Sequence, residues 1–395
     1  MKIGIDARFY GPLGKGLGRY TQEIVDRVIK IVSEDKDLKN LSFVIFLSPD
    51  NYDLFKLSDN SRVEKIKINF RWYSLAEQLL FPIIIKKNKI DLMHFPHFNI
   101  PIFCPSKFVV TIHDLILTHF PSLRATTRNK AIYWFKNLAY KLVINKAVSK
   151  SEKIITVSRF TKNDILSKFK VSDEKIVVSY EGVANFSETD SNYNLSDQDS
   201  VDESLTDILS KKYILYVGSA YPHKNLEVLL DVFSRLKKEG DDIILLLVGK
   251  KDYFYKRLEE RARAKGLYYK ESNDANICFA GYVPDSFLHN LYKNALAFIF
   301  PSLYEGFGLP PLEAMSVSCP VLSSNKASLP EISGQAALYF DPENVSEIYD
   351  RIKDVEIDSE LRNNLIQKGT ERVKMFSWHD CAEKTVGVYK LVLKS

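Results

Sequence analysis

Short runs of consecutive aliphatic and β-branched residues alternate along this chain with longer amphipathic segments. In the first half the runs are Lys2-Ile3-Gly4-Ile5-Asp6 and those at 43–47, 108–112 and 153–157; in the second they fall at 213–217, 243–248, 297–300 and Val321-Leu322. Continuous apolar runs of about five residues suit strands covered on both faces of a parallel sheet. The amphipathic segments between them supply the crossover helices. The pattern therefore predicts an α/β protein with two doubly wound, Rossmann-like halves.

A compositional break separates the halves. Between positions 184 and 210 there is no Lys or Arg, while Glu188, Asp190, Asp197, Asp199, Asp202, Glu203 and Asp207 gather among Ser and Asn. Such a stretch has little apolar surface to bury, so we expect an exposed insertion or linker. The expected division is a first domain over 1–185, a linker over 186–210 and a second domain over 211–379. A length of 395 residues agrees with two or three domains at ~150 residues each.

Bulk composition narrows the class without deciding it. The chain is 45% hydrophobic and 27% charged, with 55 basic and 50 acidic side chains, a balance too mild to call for nucleic acid. Cys104, Cys278, Cys319 and Cys381 are scattered, without the spacing of a zinc site or a disulfide framework, and fit a reducing compartment. The N-terminus opens directly on a strand, which leaves no room for a signal peptide. The most apolar stretches, 79–85 and 295–300, fall short of the ~20 residues that span a bilayer. We expect a cytoplasmic protein, at most peripheral at the inner face of the membrane.

The densest chemical signal is 302–315, Ser-Leu-Tyr-Glu-Gly-Phe-Gly-Leu-Pro-Pro-Leu-Glu-Ala-Met. A strand ends, a glycine-containing loop exposes backbone N–H groups, and proline starts a helix. Loops of this kind direct donors and the positive end of a helix dipole at an anion, typically phosphate. Glu305 precedes the glycines and Glu313 follows inside the helix. This string resembles the signature of the family-4 retaining glycosyltransferases, which have the GT-B fold: two Rossmann-like domains facing across a cleft. The resemblance implies that Glu305 approaches the donor hexose, that Gly306, Phe307, Gly308 and Leu309 bind hexose and phosphate, and that Glu313 binds ribose. It spans nearly the whole chain and is strongest over 213–340.

A second strand, 213–217, ends in Gly218-Ser219-Ala220-Tyr221-Pro222-His223-Lys224. Lys224 is placed to reach a pyrophosphate as a point charge, as the resemblance also implies. Many family members carry Arg where this chain has Ser219, so Ser219 and His223 become candidate partners for the second phosphate. In the first half, Gly14-Lys15-Gly16-Leu17-Gly18 follows a strand, but its spacing is not the dinucleotide fingerprint. It resembles a flexible donor-closing loop, with Gly16 and Gly18 as donor contacts; a plain tight turn is the alternative. His113 stands at the C-terminal end of a strand, where open α/β sheets hold ligands. The resemblance makes it a hexose contact, and we expect a neutral ring, since a protonated one would oppose positive charge on the sugar. Segments 72–78 and 94–98 look like acceptor-side elements. Residues 376–378 and a helix over 380–395 resemble the GT-B segment that packs back on the first domain.

These parts together predict a hexosyltransferase with catalytic His113, Lys224 and Glu305. The donor is a nucleoside-diphosphate sugar, with GDP-mannose preferred, and the acceptor a glycan or lipid-linked glycan of an envelope polysaccharide. No further cofactor and no metal are expected. Asp197-Gln198-Asp199 has the form of a metal-binding DxD triplet, but it lies in the acidic tract rather than at a strand end. An epimerase or phosphorylase on the same scaffold, or a non-catalytic glycan- or nucleotide-binding protein, stays open. Finally, 121–153 carries Arg124, Arg128, Lys130, Lys136, Lys141, Lys146, Lys150 and Lys153 against Glu152, interleaved with Tyr133, Trp134, Phe135 and Tyr140. It reads either as a contact for an anionic membrane or as an ordinary surface helix with its aromatics turned inward; no recognition fold for nucleic acid accompanies it.

Overall fold

The computed structural model describes residues 1–57, 62–120, 130–183, 207–269, 271 and 275–394. The chain forms two compact units, Met1–Gly182 with Ser377–Ser395, and Val183–Phe376.

In the first unit seven strands pair in parallel: β1 (Lys2–Asp6), β2 (Ser42–Leu47), β3 (Val63–Lys67), β4 (Leu92–Phe95), β5 (Lys107–Ile112), β6 (Lys153–Thr156) and β7 (Ile176–Val178). Their order is β3-β2-β1-β4-β5-β6-β7. The second unit has β8 (Tyr213–Val217), β9 (Ile244–Val248), β10 (Ile277–Gly281), β11 (Ala297–Phe300), β12 (Val321–Ser324) and β13 (Ala337–Phe340), ordered β10-β9-β8-β11-β12-β13. All of these pairs are parallel too. In each sheet the strand order reverses once, between β1 and β4 and between β8 and β11. Crossovers leave these neighbours in opposite directions, which opens a crevice at their C-terminal ends.

The buried runs expected from the hydrophobic pattern are central strands. Strands without a clear apolar run lie mainly toward the edges: β3 is Val-Glu-Lys-Ile-Lys and β7 has three residues. In the first unit Val44, Phe46, Met93, Phe95, Val110 and Ile112 of the sheet meet Phe81, Ile85, Ile144 and Ala147 of the covering helices.

Helix Trp378–Lys394 belongs to the first unit. Its start rests on Gly182, where a Cβ would stand 2.2 Å from the Trp378 nitrogen. Ser179 Oγ donates to the Cys381 carbonyl at 3.3 Å, and Lys390 lies 3.3 Å from Asp35.

Two expectations are corrected. The acidic tract was expected to remain exposed to residue 210, but 207–210 form a helical turn with Ile208 buried. One apolar side chain at the right place anchors the end of a polar segment. Residues 184–206, with Asp197 and Asp199, lie outside the described residues. The glycine run 14–18 is not a loop: a 3-10 turn Pro12–Gly14 leads directly into helix Lys15–Glu34. Gly18 is there for space, since a Cβ would meet the carbonyl oxygens of Gly11 at 2.1 Å and Phe9 at 2.7 Å, whereas Gly16 faces open space.

Candidate functional site

In the second unit the candidate residues gather at the reversal between β8 and β11. Lys224 ends the 3-10 turn Pro222–Lys224 after β8, and Glu305 lies in the loop after β11. Because β8 and β11 are neighbours, the two side chains meet: Lys224 Nζ is 2.5 Å from Glu305 Oε1. Glu305 is buried, so the ammonium supplies the partner a buried carboxylate requires. The loops are also joined through the backbone, Leu303 N–H donating to the His223 carbonyl at 2.8 Å. Asn225 then turns the chain in the left-handed region (φ 57°), which asparagine tolerates, and its amide holds the Pro342 carbonyl at 2.7 Å.

Gly308 caps helix Leu309–Ser316 with φ 100° and ψ 62°, a conformation that excludes a β-carbon at low cost. Pro310 and Pro311 occupy the first turn and have no N–H. The donors at this helix start are therefore Leu309 and the preceding loop rather than the proline positions. Ser328 Oγ lies 3.0 Å from the Glu305 carbonyl and 2.9 Å from that of Phe307. It shares its single proton between them and fixes the loop from beneath. Glu313 sits on the buried side of the helix. Ser219 is half-buried, and its carbonyl accepts from Tyr216 at 2.8 Å, while the Gly218 carbonyl accepts from Tyr255 at 3.0 Å. Ser328 and Tyr255 escaped the sequence reading, since they shape the loops from other elements and share no local motif with them; Tyr216 lies in the β8 run itself, three residues before Ser219.

In the first unit His113 follows β5. Its Nδ1 lies 3.1 Å from Glu181 Oε1 and its Nε2 2.9 Å from the Pro96 carbonyl. Burial of the ring favours the neutral form, but the hydrogen bond and charge of Glu181, with the Pro96 carbonyl and Asp114, raise its pKa above the ordinary value. A carbonyl only accepts, so Nε2 carries hydrogen, and a carboxylate at Nδ1 favours a second proton. Against the expectation of a neutral ring, these contacts shift the balance toward imidazolium relative to a free histidine. Tyr20 packs its ring edge-on at 4.5 Å. Asp114 accepts the Ile116 N–H at 2.9 Å, just ahead of a short helix.

His94, on β4, is different. It lies within the core, Nδ1 2.6 Å from Tyr389 Oη and Nε2 3.0 Å from Thr111 Oγ1, and Thr111 continues to Tyr20 Oη at 3.1 Å. Burial, with repulsion from His113, lowers its pKa to about 3. A histidine closed in this way reaches no acceptor. Nor does Glu77, which is fully buried and bonded to Arg8, Asn99 and the Tyr73 amide. Segment 94–98 is thus buried apart from half-buried His97, whereas in 72–78 only Glu77 is buried, and Trp72 stacks on Phe9 at 4.0 Å.

Among the described residues, Asp241, Asp242 and Glu356 have the spacing of a metal site. Lys353 bonds Asp241 and Glu356, and Asp241 and Asp242 precede β9, at the sheet end opposite Lys224.

Residues 44–184 match Glycosyltransferase Family 4, and residues 197–372 match Glycosyl transferases group 1. O-antigen chain mannosyltransferase B of Escherichia coli is 29% identical over 95% of this chain and 96% of its own. O-antigen chain mannosyltransferase RfbU of Salmonella typhimurium is 24% identical over 88% of each. Among solved structures, sucrose-phosphate synthase of Thermosynechococcus elongatus superposes with a TM-score of 0.72 at 16% identity, covering 100% of this chain and 99% of that one. The Anabaena HepE complex with UDP-glucose reaches 0.67 at 15%, covering 98% and 99%. Two parallel Rossmann-like sheets and these two successive matches establish the family: this chain is a glycosyltransferase of the GT-B type.

Proposed function

We propose that the chain transfers mannose from a nucleoside-diphosphate donor, GDP-mannose, to a glycan or lipid-linked glycan acceptor with retention of configuration. The observation that carries this reading is the Lys224–Glu305 pair at the strand-order reversal of the second unit, beside the glycine loop and Glu313. An anionic diphosphate competes with Glu305 for the ammonium, which frees the carboxylate for hexose hydroxyls. Loop amides from Gly306 to Leu309 then take phosphate oxygens, and Glu313 the ribose. The mannosyltransferase relatives support the choice of sugar. The donor bound to HepE is a uridine compound, so the base requires its own test.

The transfer we propose is same-face: a diphosphate oxygen takes the acceptor proton as the glycosidic bond breaks, and Lys224 stabilises the charge left on the diphosphate. No metal is assigned a part. Asp114 holds the Ile116 N–H and Glu305 is given to the hexose hydroxyls, so neither is offered as a nucleophile. An imidazolium at His113 suits an anionic neighbour, and we assign it to orienting the donor.

A thermal-shift screen of nucleoside-diphosphate sugars with EDTA present tests the reading. A ligand that binds only the folded protein raises stability by about 2.7 kcal/mol at a hundredfold excess over Kd. GDP-mannose is expected to give the largest shift. A larger shift with a uridine donor would change the base, and a shift dependent on added magnesium or manganese would overturn metal independence. A glycosyl adduct on Asp114 or Glu305 in intact-mass spectra would replace same-face transfer by a covalent route.

A further inference from the structure

Helix Leu75–Lys87 turns Glu77, Phe81 and Ile85 inward. On its other side Leu75, Leu79 and Ile83, four residues apart and hence in one row, are 62–82% exposed, with Leu80 beside them. The Gln78 amide bonds the backbone of Ile100 and Ile102 at 3.2 and 2.8 Å, which brings exposed Phe103 to the flank of this helix. Helix Lys130–Lys150 presents a second row, Trp134, Leu138 and Leu142, joined by Phe135, all exposed. Ring contacts connect the two helices: Tyr140 to Phe98 at 5.2 Å, and Phe98 to Tyr73 at 6.4 Å, two residues ahead of the first helix.

The charges on these helices have one sign outside. Lys86, Lys87, Lys136 and Lys141 are exposed, and the one carboxylate on either helix, Glu77, is sealed against Arg8. Scattered apolar side chains are normal on a surface, but adjoining rows of leucine, isoleucine and aromatic residues are not. No described helix is long and apolar enough to cross a membrane. A second copy packed by a two-fold axis would set this surface against itself, with lysines and no exposed carboxylate on these helices to meet them. Anionic headgroups above an acyl layer match both the apolar rows and the charge.

We propose that this surface of the first unit docks on an anionic lipid bilayer, with the apolar rows entering the acyl boundary and the lysines facing the headgroups. Trp134 and Phe135 point outward, while Tyr140 packs inward on Phe98 as in an ordinary surface helix. The surface also differs from the basic stretch marked in the sequence. Residues 121–129 lie outside the described residues, and half of the surface comes from helix Leu75–Lys87, which carries few basic residues. The proposal does not depend on which donor the enzyme uses.

Cosedimentation of the whole chain with phosphatidylcholine vesicles, with and without phosphatidylglycerol, tests it. The wild type is expected to bind the anionic vesicles at low salt and release at high salt. Each lysine contributes roughly fivefold to partitioning, so Lys136→Glu with Lys141→Glu should reduce it by at least about 25-fold. Leu79→Glu with Ile83→Glu should reduce it at least tenfold, on the order of the loss of two buried aliphatic side chains. All four positions are exposed, and unchanged melting would show that the variants fold. Equal binding to neutral vesicles, or unchanged binding by either double variant, would overturn the proposal. So would a concentration-dependent dimer in sedimentation velocity that Leu79→Glu dissolves, because the surface would then belong to a second copy.

Discussion

In the second unit, Lys224, Glu305 and Glu313 ride on two strand–loop–helix segments, and the pairing of β8 with β11 brings these segments together. In the first, His113 takes one partner from Glu181 after β7 and another from Pro96 after β4, while Tyr20 comes from an N-terminal helix. The His113 arrangement of the first unit is assembled by topology, the Lys224 site of the second unit largely by local sequence. Two histidines sharpen the contrast. His94 lies on β4 and His113 just after the neighbouring β5, yet burial lowers the pKa of one while a carboxylate and a carbonyl raise that of the other.

The largest effect should come from the local site. Lys224→Ala removes the cation that faces leaving-group charge, and a single such donor is worth ~10²–10³ in rate. Steady-state kcat measures this. Lys224→Arg, which keeps the charge, should retain far more activity if charge and not loop integrity is the cause. Equal losses in both variants would assign Lys224 to folding.

Glu181→Gln probes the assembled site. Losing one charged hydrogen bond, on the order of 1.5–3 kcal/mol, should lower kcat by about tenfold or more while nucleotide affinity stays constant. The sign of its pH dependence follows from the raised pKa of His113. Stabilisation by the pair is present below the ordinary histidine value of 6.5 and fades as pH rises through the folded-state value. Activity that requires imidazolium should fall at high pH, and in Glu181→Gln the fall should move to lower pH. An unmoved profile would remove Glu181 from the account.

The sequence was informative where chemistry is contiguous. The apolar runs marked the central strands, and the Glu-Gly-Phe-Gly-Leu-Pro string marked the loop after β11. It was silent where partners are far apart along the chain. Nothing near position 113 points to Glu181, 68 residues away, and nothing near 305 points to Ser328. Glycines misled in a different manner. Gly16 and Gly18 read as a loop because glycine is rare in helices, whereas Gly18 is needed where the helix passes close to the carbonyls of Phe9 and Gly11.

His94 gives a smaller, oppositely signed effect. Its folded-state pKa, about 3, lies below the ordinary 6.5, so the unfolded chain binds the extra proton between these values. Stability should therefore drop as pH falls below 6.5, with a slope of up to about 1.4 kcal/mol per unit from this residue. Urea titrations at several pH values, repeated on His94→Phe, would show the slope shrink. An unchanged slope would mean that His94 is not the group responsible. Smallest of all, Gly16→Ala should stabilise by up to about 1 kcal/mol, since the site is open and helical. Gly18→Ala should destabilise, and thermal melts that fail to separate the two would contradict the close packing at Gly18.

The most direct test of the central claim, that the β8 and β11 loops form a diphosphate and ribose site, is calorimetric titration of GDP into the wild type, Lys224→Ala and Glu313→Ala. The account predicts binding by the wild type without added metal. Each variant should be weakened by at least about tenfold, the lower end of a charged hydrogen bond of 1.5–3 kcal/mol. Equal affinity in all three proteins would contradict it.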